Sequence, residues 1–147
     1  MVMQDSRPRS AYAQFQDIPT RWMDNDIYGH INNVNYYSFF DTAVNQYLIE
    51  NGGLDIHQGS VIGLVVETGC KYFAPLAFPD LVNAGIGVSH IGNSSVRYEI
   101  GLFKGQEMEP AAQGFFIHVY VDSATRRPTS IPKKMKQALQ AVELKPE

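Results

Sequence analysis

The chain has 147 residues, of which 18% are charged and 12% aromatic, and a formal net charge of −3. That length suits one domain, able to bury about 70% of its unfolded surface in a single core. The acidic balance argues against general nucleic-acid binding, which needs a strong basic excess. No apolar run approaches the roughly 18 residues of a transmembrane helix. Residues 1–10 are polar and lack the apolar centre of a signal peptide. The lone Cys70 cannot form an internal disulfide, and the expected compartment is the reducing cytoplasm. The Asn93-Ser94-Ser95 sequon is then accidental.

Residues 1 to about 13 read as a loose leader. Gln14 to Trp22 is a first strand, closed by the turn cluster Asp24-Asn25-Asp26. From Asn33 the apolar residues Tyr36, Tyr37, Phe39, Phe40, Ala43, Val44, Tyr47 and Leu48 recur at helical spacing. Asn32 or Asn33 is a good N-cap and Gly52-Gly53 a good stop. The predicted helix runs for roughly 18 residues, about 27 Å, and its wide apolar face requires burial. Val61–Tyr72, Leu81–Ile91, Val96–Phe103 and Ala112–Val121 are rich in β-branched and aromatic residues and are separated by turn signals. A last helix starts at Pro132, which suits the first helical position, and reaches about Val142. One long helix and about five strands with short connections predict an α+β domain, an antiparallel sheet curled around a buried helix. The outer face of such a sheet needs cover, and dimerisation is the usual remedy.

Two carboxylates, Asp24 and Asp26, stand just before that helix. An acid beside a helix N-terminus lies near free backbone N–H donors that can polarise a carbonyl, the outline of an acyl-transfer site. The same pattern suits a plain turn or cap. For Asp24 the simplest expectation is a solvated carboxylate. The window also imitates a calcium loop, with Asp24, Asp26, Gly29 and Ile31 in register, but Tyr28 takes the third ligand position and Asn35 replaces the bidentate Glu. His57, His90 and His118 are scattered without paired ligand spacing, so no zinc site and no metal is expected. There is no Gly-x-Ser-x-Gly elbow, no Walker loop and no dinucleotide loop. His30, at the edge of the turn, orients substrate or water, or is an ordinary turn histidine. Tyr36, Tyr37 and Phe40 line a pocket or are plain core. Glu67, in the second candidate strand, reaches the pocket if its side chain faces inward, and is otherwise exposed or interface-lining, the preferred expectation. Lys133, Lys134 and Lys136 crowd a helix start against its dipole, and read as a solvated face.

The segment Arg21-Trp22-Met23-Asp24-Asn25-Asp26-Ile27-Tyr28-Gly29-His30-Ile31-Asn32-Asn33-Val34-Asn35-Tyr36-Tyr37 resembles the signature of hotdog-fold acyl-CoA thioesterases of the 4-hydroxybenzoyl-CoA thioesterase-like branch. Tyr72-Phe73-Ala74-Pro75-Leu76 with Phe78-Pro79-Asp80, then Gly92-Asn93-Ser94-Ser95-Val96, then Val119-Tyr120-Val121-Asp122 with Arg126-Arg127-Pro128 and Ile131-Pro132, follow in that family's order. The resemblance covers about residues 14–140 and implies a single hotdog domain over the chain. It also implies Asp26 as the catalytic carboxylate and the backbone N–H of Asn33 as the carbonyl-holding donor, in sites at a dimer interface. By the same analogy Arg126 or Arg127 meets coenzyme A phosphates, and Ser94 and Ser95 hydrogen-bond pantetheine or phosphate. Pro79 stands where a glycine is common, and Asn93 where many relatives carry a basic residue. The implied function is metal-independent and cofactor-free hydrolysis of an acyl-CoA thioester by a homodimer or homotetramer. A thioester on acyl carrier protein and a non-catalytic acyl-thioester binding module are the alternatives.

Overall fold

The computed structural model describes residues 6–55 and 57–144. Five strands, β1 (Gln14–Pro19), β2 (Val61–Tyr72), β3 (Leu81–Ile91), β4 (Ser95–Lys104) and β5 (Ala112–Asp122), form one sheet in the order β1-β3-β4-β5-β2. Every pairing in it is antiparallel. Helix α1 (Asn33–Asn51) lies in the curve of the sheet and α2 (Lys133–Gln140) closes the chain. This is the α+β hotdog arrangement expected from the sequence.

Helix α1 forms where the periodicity places it. Asn32 is the N-cap, its side chain accepting from Val34 N. At the other end Gly53 takes a φ of 73°, and the Leu54 N–H returns to Leu48 O at 3.2 Å, which ends the helix. The buried face is Tyr36, Phe39, Phe40, Ala43, Val44, Tyr47 and Leu48, while Tyr37 is only half-buried. Opposite it, β5 buries alternate residues, Ala112, Gly114, Phe116, His118 and Tyr120. Gly114 is obligatory because of this contact. A Cβ there would overlap the Phe40 ring and sit 2.8 Å from Gly69 O. Moving the ring cannot relieve a clash with backbone, so Gly114→Ala is expected to cost about 2–3 kcal/mol, measurable as a lowered denaturation midpoint at unchanged m-value.

Several boundaries differ from the sequence expectation. The first strand stops at Pro19, short of Trp22, because Trp22–Asp24 turns into a 3-10 helix. Pro132 is the N-cap of α2, outside its first turn, and the helix ends at Gln140. The leader is a correction from residue 6 onward. Arg9 donates its backbone N–H to Met108 O and its guanidinium to the carbonyls of Glu107 and Gly105, and that guanidinium lies over the Phe15 and Phe103 rings. Tyr12 is 3% exposed and fills a trough that Gly85 and Gly101 leave open, where any Cβ would meet its ring. Residues 1–5 of the expected leader lie outside the described residues.

His118 is buried against α1, stacked on Phe116 at 5.5 Å, with no partner for either ring nitrogen among the described residues. Burial pushes its pKa down from 6.5 to about 4, opposed by Asp41. The folded state therefore holds it neutral while the unfolded chain takes up a proton. Its contribution to stability is complete above pH 6.5 and is lost as the pH falls towards 4. Thermal denaturation across that window is expected to show a steeper fall in Tm for the wild type than for His118→Phe.

Candidate active site

The loop from β1 to α1 is built on Asp24. Its carboxylate accepts from Arg21 N and Arg21 Nη2, both at 2.8 Å, and from Arg21 Nε at 3.1 Å. Its carbonyl accepts from Asn32 N at 2.9 Å and Asn35 Nδ2 at 3.1 Å. Asp24 is 1% exposed, so the expectation of a solvated acid is corrected: the Arg21 fork satisfies the charge and makes burial tolerable. Its function is to fix the start of α1 against the turn.

Asp26 stands differently. Its backbone N–H donates to His30 O at 2.8 Å, and its carbonyl accepts from Gly29 N, with Gly29 at a φ of 80°. Oδ1 accepts from Tyr28 N at 2.8 Å and more loosely from His30 N at 3.4 Å. Oδ2 has no partner among the described residues. The carboxylate is half-buried, oriented by the turn through one oxygen and open through the other. Asn25 Oδ1 accepts from Phe78 N, and Ile31 N donates to Leu76 O at 2.7 Å, so the turn is tied to the segment after β2.

Asn33 opens α1. Val34 N is taken by the Asn32 side chain and Asn35 N by Asn32 O. The Asn33 N–H is the first-turn donor left without a partner among the described residues, as helix geometry requires of an N1 amide. A cleft of about 330 Å³ adjoins it, lined by His30, Asn33, Tyr36, Tyr72, Phe73 and Pro75 among others. Three of the sequence-predicted residues, His30, Asn33 and Tyr36, thus line one cleft, whereas Asp26 is not among its lining residues. Tyr36 itself is buried, its ring 4.9 Å from that of Tyr72, and burial raises its pKa.

Tyr72 was not singled out from sequence. Its hydroxyl lies 3.5 Å from Asn33 O, and desolvation, followed by the neighbouring Cys70, raises its pKa. The Cys70 thiol is pushed up to about 11 by burial. Both groups therefore stay protonated at neutral pH, Tyr72 as a hydrogen-bond donor at the helix start. The only signal for it was its place heading the Tyr72-Phe73-Ala74-Pro75 motif.

Ser94, Ser95, Arg126 and Arg127 form a second group elsewhere. Ser94 O accepts from Tyr120 N and Ser95 O from Gly92 N, both at 2.7 Å. Asp122 Oδ1 caps the following turn through Ala124 N and Thr125 N, which lets Arg126 take a φ of 63°. Ser95 pairs with Val119 on β5, whereas Tyr72 pairs with Ala112. Seven residues of strand, about 24 Å, separate the two groups within one chain. Glu67 is exposed on β2, beside the bulge at Val66. No group of three or more His, Cys, Asp or Glu side chains fit to hold a metal exists among the described residues, and no helix there is long and apolar enough to cross a membrane.

A curved five-stranded antiparallel sheet wrapped around one long helix is the hotdog fold, and the turn that holds Asp26 leads directly into the start of that helix. The chain belongs to the thioesterase-like superfamily, whose pattern matches residues 20–139. Among solved structures it is similar to the PA5185 protein from Pseudomonas aeruginosa, with 54% identity over 97% of this chain and 99% of that one, at a TM-score of 0.95. The fold is shared with Slr0204, a 1,4-dihydroxy-2-naphthoyl-CoA thioesterase from Synechocystis, at 14% identity, 86% and 94% coverage and a TM-score of 0.77. It is shared also with BH1999, a gentisyl-coenzyme A thioesterase, at 23% identity, 86% and 99% coverage and a TM-score of 0.75. A search of curated proteins returned no match.

Proposed function

We propose that the chain hydrolyses acyl-CoA thioesters to the free acid and coenzyme A, with Asp26 as the catalytic carboxylate and the Asn33 amide as oxyanion donor. The observation that supports this reading is that, among the described residues, one Asp26 oxygen and the Asn33 N–H that opens α1 are each without a partner, seven residues apart in one turn-to-helix segment. Sulfur donates poorly into a carbonyl, so a thioester needs little further activation. Asp26 acts on the carbonyl carbon directly or through a water. The Asn33 N–H and the helix dipole stabilise the oxyanion. The carbon–sulfur bond then breaks, water supplies the hydroxyl of the acid, and the thiol leaves with the remaining proton. His30 and Tyr36 line the acyl side of the cleft.

The working unit is a homodimer, alone or paired into a tetramer. Strand β2 is an edge of twelve residues that leaves Val66 60% exposed beside Leu64 and Val65. A long apolar edge is a template for pairing with another strand. Antiparallel pairing of β2 with its own copy across a two-fold axis lays the Val61 end of one chain beside the Tyr72 end of the other. Because Val61 pairs with Asp122, that symmetry brings one chain's Arg126 and Arg127 towards the other's Tyr72 and Asn33 cleft, where coenzyme A phosphates would meet them. Ser94 and Ser95 travel with them.

The test is turnover on matched aliphatic and aryl acyl groups carried on coenzyme A or on acyl carrier protein. Hydrolysis is expected with CoA thioesters, faster than with the same acyl group on the carrier. Faster carrier turnover would transfer the activity to that substrate, and ligand binding without turnover would make the chain a binding module.

A further inference from the structure

The face of the sheet turned away from α1 carries a second cleft, of about 540 Å³, bounded by Arg7, Gly69, Lys71, Arg97, Glu99 and Phe115 among others. At its base Glu99 is 5% exposed. Its Oε1 accepts from Arg7 Nη1 at 3.3 Å, and its Oε2 from Arg97 Nε at 2.6 Å and Ser89 Oγ at 2.7 Å. Two guanidinium groups therefore share one carboxylate, and positive charge is left over.

Arg97 is held on two sides. Its Nε is tied to Glu99, and its guanidinium lies 4.0 Å above the centroid of Phe115. Phe115 lies in turn across Gly69, where a Cβ would come within 2.7 Å of its ring. The glycine on β2 thus lets the aromatic ring form a floor beneath the cation. Both terminal nitrogens of Arg97 are without a hydrogen-bond partner among the described residues, and the side chain is 39% exposed. A guanidinium fixed by stacking and by one hydrogen bond, lining a cleft with its terminal nitrogens unpaired among the described residues, is preorganised for bidentate binding of an oxyanion. Mere pinning of the leader would need only Arg7 and Glu99. It leaves the orientation of Arg97 unexplained.

We propose that this cleft is a second ligand site, taking a small molecule that carries a carboxylate or phosphate, gripped by the terminal nitrogens of Arg97 with Arg7 beside it. It lies on the opposite face of the sheet from α1 and shares no lining residue with the cleft at Asn33.

The test is calorimetric titration of the intact protein with sodium malonate and, separately, sodium phosphate, at ionic strength matched with potassium chloride. Saturable binding of one anion per chain is expected, unchanged in Asp26→Asn and weakened at least about tenfold in Arg97→Lys, which keeps the charge and loses the fork. Preference for malonate assigns the site to carboxylates, and preference for phosphate assigns it to phosphorylated ligands. Absence of saturable binding of both anions would overturn the proposal. Equal affinity in Arg97→Lys would do the same. So would dissociation of the assembly by Arg97→Glu in light scattering, which would make this face a contact between copies.

Discussion

Asp26→Asn is expected to lower kcat on an acyl-CoA substrate by at least about 100-fold, with Tm unchanged. The substitution separates chemistry from structure because only one carboxylate oxygen holds the turn. Asparagine retains an Oδ1 acceptor for the Tyr28 and His30 amides, so the loop between β1 and α1 keeps its shape. What is lost is the negative charge on the oxygen that has no structural partner. An amide neither attacks the carbonyl carbon nor takes a proton from water. Near-wild-type turnover by folded Asp26→Asn protein, followed as released thiol, would remove Asp26 from the mechanism.

The pair at the far end of the sheet is expected to act on binding. Arg126→Asn/Arg127→Ala should raise KM for a CoA thioester by about 10- to 100-fold with kcat nearly retained, the signature of lost uniform binding. That range corresponds to the loss of one charge-assisted contact to a phosphate, worth about 1.5–3 kcal/mol, made by one or other of the two arginines. Asparagine is chosen at 126 because that residue sits at a φ of 63°, where alanine would add strain unrelated to the charge. A thioester truncated to N-acetylcysteamine carries no phosphate and should show equal KM for wild type and variant. A KM shift on the truncated substrate as well would mean that the turn after β5 had been damaged instead.

Much of the frame is legible because it depends on local periodicity. Val61–Tyr72 and Leu81–Ile91 begin and end where their apolar runs meet turn residues, and α1 starts and stops at its own caps. The features that were not legible depend on contacts distant in sequence. Tyr12 is packed because Gly85 and Gly101, on two other strands, leave it room. Asp24 is buried because Asn32 and Asn35 close over its backbone, although its Arg21 partner stands only three residues away. Tyr72 reaches the helix start only through the order of the strands. The proposed catalytic pair, Asp26 and Asn33, is legible because both stand in one contiguous motif. The separation of Arg126 and Arg127 from them follows from register, which no single-chain motif displays.

That separation supplies the most direct test of a site shared between two chains. Asp26→Asn chains and Arg126→Asn/Arg127→Ala chains are co-expressed, and CoA-thioester hydrolysis is measured at a substrate concentration well below the variants' KM. If Asp26 of one chain works with the arginines of its partner, each mixed dimer holds one complete site. Random pairing then returns about a quarter of wild-type activity, far above either variant alone. Activity no greater than the average of the two separate variants would contradict the shared site.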